Sequence, residues 1–291
     1  MSSGQMTEQR LRPRRHRQRH WGSYLVLAIL LIVVLFPVYY VAVGSIMTVK
    51  DLFSSPPKLF PVSGLNLSNY AQVIQGSQLV QQYGNSILVS GLVMVAQIIT
   101  ATMAAFALVF LPLKHRGLWF GVCMATMMVP WEAIIIPNFL TLSDWGMIGD
   151  NWFGSILAMS LPFMATGFSI FLMRQAFLTF PRELHEAAIL DGASDWRFLF
   201  SVLVPIVKPS LAALAIYAFL NTWNMYFWPL LVARSASQQT IQIGITQFNS
   251  SEQFNPGSVM ASVFLAVLPV LLVVIFAQRF IVKGLTAGAV K

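Results

Sequence analysis

Apolar residues in this chain come in long runs, not at the spacing of strands or of soluble amphipathic helices. Six runs stand out, at about residues 24–46, 86–111, 118–140, 153–173, 211–232 and 258–282. A hydrocarbon core of about 30 Å takes about 20 helical residues to cross, so each run is long enough to span. Polar, turn-forming stretches separate them. The pattern predicts an all-α membrane protein with six transmembrane helices. Pro37, Pro130, Pro137, Pro162, Pro229 and Pro269 lie in or near the runs and predict kinked helices. Two readings of the kinks stand: helices bent around a pathway, or bent only by packing.

Composition agrees. The chain of 291 residues is 57% hydrophobic and only 10% charged, where soluble domains carry about 25% charged residues. A soluble enzyme, a disulfide scaffold and a disordered regulator are excluded on these grounds. Cys123 is the single cysteine, and His16, His20, His115 and His185 show no metal-ligand spacing. The net charge of +8 matters through its placement. With the N-terminus in the cytoplasm, the inside segments hold Arg10, Arg12, Arg14, Arg15, Arg17, Arg19, Lys114, Arg116, Arg174, Arg182, Arg197, Lys208, Arg279, Lys283 and Lys291. Only Lys50, Lys58 and Arg234 fall outside. This asymmetry predicts both termini cytoplasmic, a basic arm over residues 1–23, and external segments at 50–85, 141–152 and 233–257. The first run is too long for a signal-peptide core of roughly 7–15 residues.

The one long internal loop, residues 174–210, is too polar to span. Pro181 suits a helix start. Leu184, Ala187 and Ala188 then give a small apolar face, and Asp191-Gly192 an end, since glycine accepts the left-handed C′ conformation. A second helix restarts near Ser194. Glu183, Glu186 and Asp191 flank this face. A helix lying on lipid headgroups would prefer cations to acids, so a groove on a partner protein is the better expectation.

Glu186-Ala187-Ala188 followed by Asp191-Gly192-Ala193, with Phe198, Pro205 and Pro209, resembles the EAA signature of the permease subunits of ABC importers. Asn221-Thr222-Trp223-Asn224, Trp228-Pro229-Leu230, Asn85-Ser86 and the tail from Gln278-Arg279-Phe280 to Lys291 are similar to the carbohydrate and glycerol-3-phosphate group of that family. The resemblance covers roughly residues 24–291 and implies the maltose-type permease fold. It implies that Glu183, Glu186, Ala187, Ala188, Asp191, Gly192 and Ala193 form a coupling helix docked on an ATP-binding subunit. It also implies that Thr286, Gly288 and Lys291 in the tail reach the ATPase dimer. The expected partners are a homologous second permease, two ATP-binding subunits and an external substrate-binding protein, in a prokaryotic cell membrane. His185 departs from the signature; an exposed, neutral imidazole is expected there.

No Walker A loop is present: the lysines are followed by Asp51, Leu59, His115, Pro209 and Gly284. The chain is expected to bind no cofactor and to hydrolyse nothing, with ATP and magnesium held by partner subunits. Polar groups inside spans are costly and often functional. Tyr217, Asn221, Asn224 and Trp228, spaced i, i+4, i+7 and i+11, fall on one helical face. Amides beside rings suit a sugar or polyol; hydrogen bonding between helices is the alternative. Gln97 and Glu132 are further candidates for the substrate pathway. Glycerol-3-phosphate import is the runner-up. A self-sufficient secondary transporter would need paired broken helices or acid pairs, and the spans offer only Glu132.

Overall fold

The computed structural model describes residues 21–75, 77–249 and 255–287; among these every regular element is helical. The basic arm lies almost wholly outside the described residues. The described residues up to Tyr40 and those from Val41 onward form separate units. The first contains most of α1 (Trp21–Gly44), an apolar helix exposed along most of its length.

In the second unit, α2 (Val49–Leu52) and α3 (Ser68–Gln75) lie in the segment after α1. Its anchor is Asp51. Although a carboxylate, it is 0% exposed, because Lys58 Nζ donates to it at 2.6 Å and the backbone N–H groups of Val62 and Ser63 donate at 3.1 and 2.8 Å. A buried charge persists only when paired and hydrogen-bonded in this way.

The centre is α4 (Leu79–Val109), an unbroken helix of 31 residues. Its buried side repeats every three to four residues, through Gln82, Ser86, Val89, Val93, Gln97, Ala101 and Ala105. Against it pack α7 (Trp152–Ser160), α8 (Gly167–Leu178), α12 (Lys208–Trp223) and α14 (Ile241–Asn249). The last long helix, α15 (Pro256–Ala287), packs on α12 and α3.

Among the described residues, only α1, α4 and residues Pro256–Gln278 of α15 are singly long and apolar enough to cross a membrane. The expected continuous helices at 118–140, 153–173 and 211–232 are not continuous. The first is α5 (Arg116–Thr126) and α6 (Trp131–Asp144), bent by 91°. The second is α7 with a 3₁₀ turn (Leu161–Phe163), followed by α8 at 53°. The third ends at Trp223 and resumes as α13 (Phe227–Val232).

Each break follows from a proline. The ring lacks an N–H and clashes with the carbonyl four residues earlier. Pro130 thereby disturbs the turn at Thr126, where α5 stops; Pro162 frees the carbonyl of Ala158, and Pro229 that of Met225. In the membrane a freed carbonyl needs another donor. Trp228 Nε1 supplies one to Ala158 O at 3.2 Å. Pro269 frees the carbonyl of Leu265, and Trp223 Nε1 donates at 3.1 Å to the neighbouring Ala266 O. Pro37, Pro137 and Pro269 remain inside helices.

Candidate functional site

Two regions carry the sequence-predicted residues. The first is the polar connection after α8, whose helix runs through Arg174 to Leu178, so the connection begins later than expected. Pro181, in extended conformation, caps α9 (Arg182–Leu190) instead of entering its first turn. Gly192 has φ +72°, and the Ala193 and Gly192 N–H groups donate to Ala188 O and Ile189 O, both at 2.9 Å. This is the Schellman arrangement, which closes the open carbonyls of a helix end and needs a left-handed C′ residue. Ser194 then caps α10 (Asp195–Phe198), its hydroxyl accepting from Arg197 N at 3.3 Å. A π-helical turn (Leu199–Leu203) and α11 (Val204–Ile206) lead into α12 through an 80° bend.

The orientation of α9 is fixed by its short residues. Ala188 packs on the cluster of Phe106, Phe177, Phe180 and Phe198. His185, expected to be exposed, is half-buried between Phe110 and Phe198, with ring centroids 5.0 and 4.6 Å away. Glu183, Glu186, Ala187 and Asp191 are left exposed, beside exposed Leu184, Ile189 and Leu190. The face offered outward is therefore acidic and apolar on a rigidly terminated helix. Ala188 belongs to its inner side, and Ala193 closes the turn.

The second region gathers the helix breaks. Trp131, first residue after the 127–130 break, lies 4.5 Å from Phe163 and 5.5 Å from Trp228, centroid to centroid. Phe168, beside the 164–166 break, lies 4.4 Å from Tyr217, centroid to centroid, with the rings tilted by 40°. Gly167 allows the close approach: a Cβ there would strike the backbone carbonyl of Cys123. Three interruptions thus meet in one aromatic neighbourhood. Tyr217, Asn221 and Asn224 are exposed on its α12 side, and the two amides donate to Tyr217 O and Leu220 O of their own helix at 3.0 and 2.9 Å. Their side-chain oxygens accept no hydrogen bond among the described residues. Because α12 begins at Lys208, Asn221 sits about 20 Å along it, deeper than a start near 211 implied. Glu132 is exposed in the first turn of α6, where the helix dipole favours a carboxylate, and has no ionic or hydrogen-bond partner among the described residues.

Two candidates separate from this face. Trp228 is 1% exposed and spends its indole N–H on Ala158, so the single-face spacing fails where the helix breaks. Gln97 is buried; its Nε2 donates to Phe163 O at 2.8 Å and its Oε1 accepts from Ser169 Oγ at 2.6 Å. Thr100 Oγ1 adds a bond to Met164 O at 2.9 Å. These α4 side chains serve the backbone of the α7–α8 break. Thr286 is the penultimate residue of α15, and its side chain, like Gly288 and Lys291, lies outside the described residues.

Sequence reasoning overlooked the clamp at the other end of α4. Gln82 and Asn85 donate amide hydrogens to Ala236 O and Ser237 O at 3.0 and 2.8 Å, and Ile241 N donates to Ser86 Oγ at 2.8 Å. They tie down the segment 233–241, and α14 follows in what was expected to be an external loop.

Residues 97–287 match the family described as binding-protein-dependent transport system inner membrane component. The sn-glycerol-3-phosphate transport system permease protein UgpE of Brucella abortus (strain 2308) is 38% identical over 274 residues, covering 90% of this chain and 94% of the relative. The arabinooligosaccharides transport system permease protein AraQ of Halalkalibacterium halodurans is 29% identical, covering 93% and 96%. A bacterial ABC transporter that imports the acidic polysaccharide alginate contains a chain of the same architecture, with TM-score 0.78, 26% identity and coverage of 89% and 94%.

Proposed function

Because this chain belongs to the family of binding-protein-dependent transport system inner membrane components, we propose that it lines half of a translocation pathway for a hydroxyl-rich solute, with α9 as its docking helix for an ATP-hydrolysing partner. Membership makes it a membrane-embedded permease subunit of an ABC importer, a transport component and not an enzyme. ATP and magnesium then reside on partner subunits, and a homologous second permease supplies the other half of the path. The α9 end of the bundle faces the cytoplasm in this reading.

One observation carries it: a helix closed by a Schellman turn and pinned by His185 and Ala188 presents Glu183, Glu186 and Asp191 outward. Such a helix transmits a push without reorienting. Movement of α9 passes through Phe198 and the bend at Val207 into α12, which bears Tyr217, Asn221 and Asn224. The broken helices let the halves rock between inward and outward access. The amide oxygens of α12 accept from hydroxyls, and Tyr217 offers a ring for C–H faces.

A second reading, glycerol-3-phosphate, is favoured by the similarity to UgpE proteins. The break segments 127–130, 164–166 and 224–226 contain no Lys or Arg, so the phosphate would be matched largely by the second permease.

Glu186→Lys tests the docking. The site is exposed, so the bundle folds, while reversal of a paired interface charge costs at least about 2–5 kcal/mol of docking. Co-purification of the ATPase subunit and binding-protein-stimulated ATP hydrolysis should both fall by tenfold or more. Wild-type levels of both would make α9 a membrane-surface helix instead.

A further inference from the structure

A cavity of about 340 Å³ opens between the end of α4, the start of α5, the end of α8 and α9. Arg116, Arg174, Arg182 and His185 line it, against a single carboxylate, Glu186. None of these groups forms an ion pair among the described residues. Arg174 is the most constrained. Its guanidinium carbon lies 4.1 Å over the Phe120 ring, and its Nε is buried with no acceptor among the described residues. A desolvated N–H without an acceptor is expensive and calls for an absent partner.

We propose that this cavity binds a phosphate group, and that the bound anion ties α9 to the ends of α4 and α8. Three arginines, from α5, α8 and α9, line the cavity, and guanidinium groups match the charge and fork geometry of a phosphate. The cavity volume is in the range that takes a small ligand. It lies where apolar helices end and Trp119 is exposed, the level at which lipid phosphates sit and basic pockets between helices take up anionic headgroups. A phosphodiester headgroup and free phosphate share this chemistry. The inference needs this end of the bundle to lie at a membrane boundary; it does not need α9 to dock an ATPase, so the two readings fail separately.

The test uses the whole complex, wild type, Arg174→Gln and Arg116→Gln. Complexes drawn from bilayers of phosphatidylcholine with phosphatidylglycerol are washed in detergent, and retained lipid is quantified by mass spectrometry. In a second arm, delipidated complex is assayed for binding of radiolabelled orthophosphate. The expected result is preferential retention of phosphatidylglycerol, lost tenfold or more in Arg174→Gln, with phosphatidylcholine unchanged. Orthophosphate binding by wild type that Arg174→Gln abolishes would also support the site and identify free phosphate as the ligand. If Arg174→Gln does not assemble, Arg116→Gln, on the exposed first turn of α5, carries the same comparison. Wild-type retention of phosphatidylglycerol in the variants, with no specific orthophosphate binding, overturns the proposal. So does loss of the ATPase subunit alone, which would show that the cavity takes a carboxylate of a protein partner.

Discussion

Replacing Gln97 by Leu separates a residue of the pathway from one that holds the pathway's walls. The side chain is 4% exposed and makes two bonds, to Phe163 O at 2.8 Å and from Ser169 Oγ at 2.6 Å. Leucine fills similar space but leaves the Phe163 carbonyl without its donor. Ser169 keeps its contact with Thr166 Oγ1 at 2.7 Å, so it is only partly orphaned. Side-chain hydrogen bonds between membrane helices are worth about 0.6 kcal/mol on average and up to about 1.7. Two of them set the loss at about 1–3 kcal/mol. The loss falls on the α7–α8 break, not on the outward face of α12. The assay is thermal unfolding of the purified complex in detergent, with transport measured in parallel over a range of substrate concentrations. A lowered melting temperature with KM unchanged within about twofold is expected, because uniform substrate binding is untouched. Wild-type melting with a tenfold rise in KM would refute the reasoning and return Gln97 to the substrate path.

Asn224→Leu should assemble with wild-type yield and lower transport by at least tenfold, since its amide bonds only its own helix and its oxygen accepts no hydrogen bond among the described residues; unchanged flux through an intact complex would make it structural. Gly192→Val should cost about 1–2 kcal/mol from backbone alone, because open space surrounds the site while φ is +72°; reduced ATPase co-purification, milder in Gly192→Ala, checks this, and equal losses would point to contact instead. Lys58 and the Ser63 amide hold the Asp51 carboxyl well below its ordinary value of 3.8. Its contribution is therefore fully present above that value and is lost as pH falls through the depressed native one. Stability of the wild type should thus decline below about pH 4 more steeply than that of Asp51→Asn, and parallel acid profiles would contradict the assignment.

The helical class and the α9–Gly192–Ser194 sequence of helix, turn and cap were legible because they rest on local chemistry: hydrophobic length, a left-handed glycine, a hydroxyl cap. The breaks were only half legible. Proline announces that a helix is disturbed, but whether the helix breaks, as at Pro130, or absorbs the ring, as at Pro269, depends on packing by residues distant in the chain. Trp228 was misplaced for that reason, its spacing from Asn221 being meaningful only along an unbroken helix. His185 was misjudged because Phe110, its neighbour, is 75 positions away in the chain. The polar residues of α4 did carry a signal: Gln82, Ser86, Ser90 and Gln97 recur at helical spacing, and such recurrence marks a buried seam between helices.

That seam gives α4 a mechanical character unlike its neighbours. At 1.5 Å per residue its 31 residues form a shaft of about 46 Å, longer than the hydrocarbon core is thick. One end is gripped by the segment 233–241 through Gln82 and Asn85, the other by the phenylalanine cluster under α9. The α7–α8 and α12–α13 segments beside it are jointed; α4 is not. A pivot of about 10° about its midpoint would swing each end by about 4 Å in opposite senses, so a displacement received on one side of the membrane reappears, inverted, on the other.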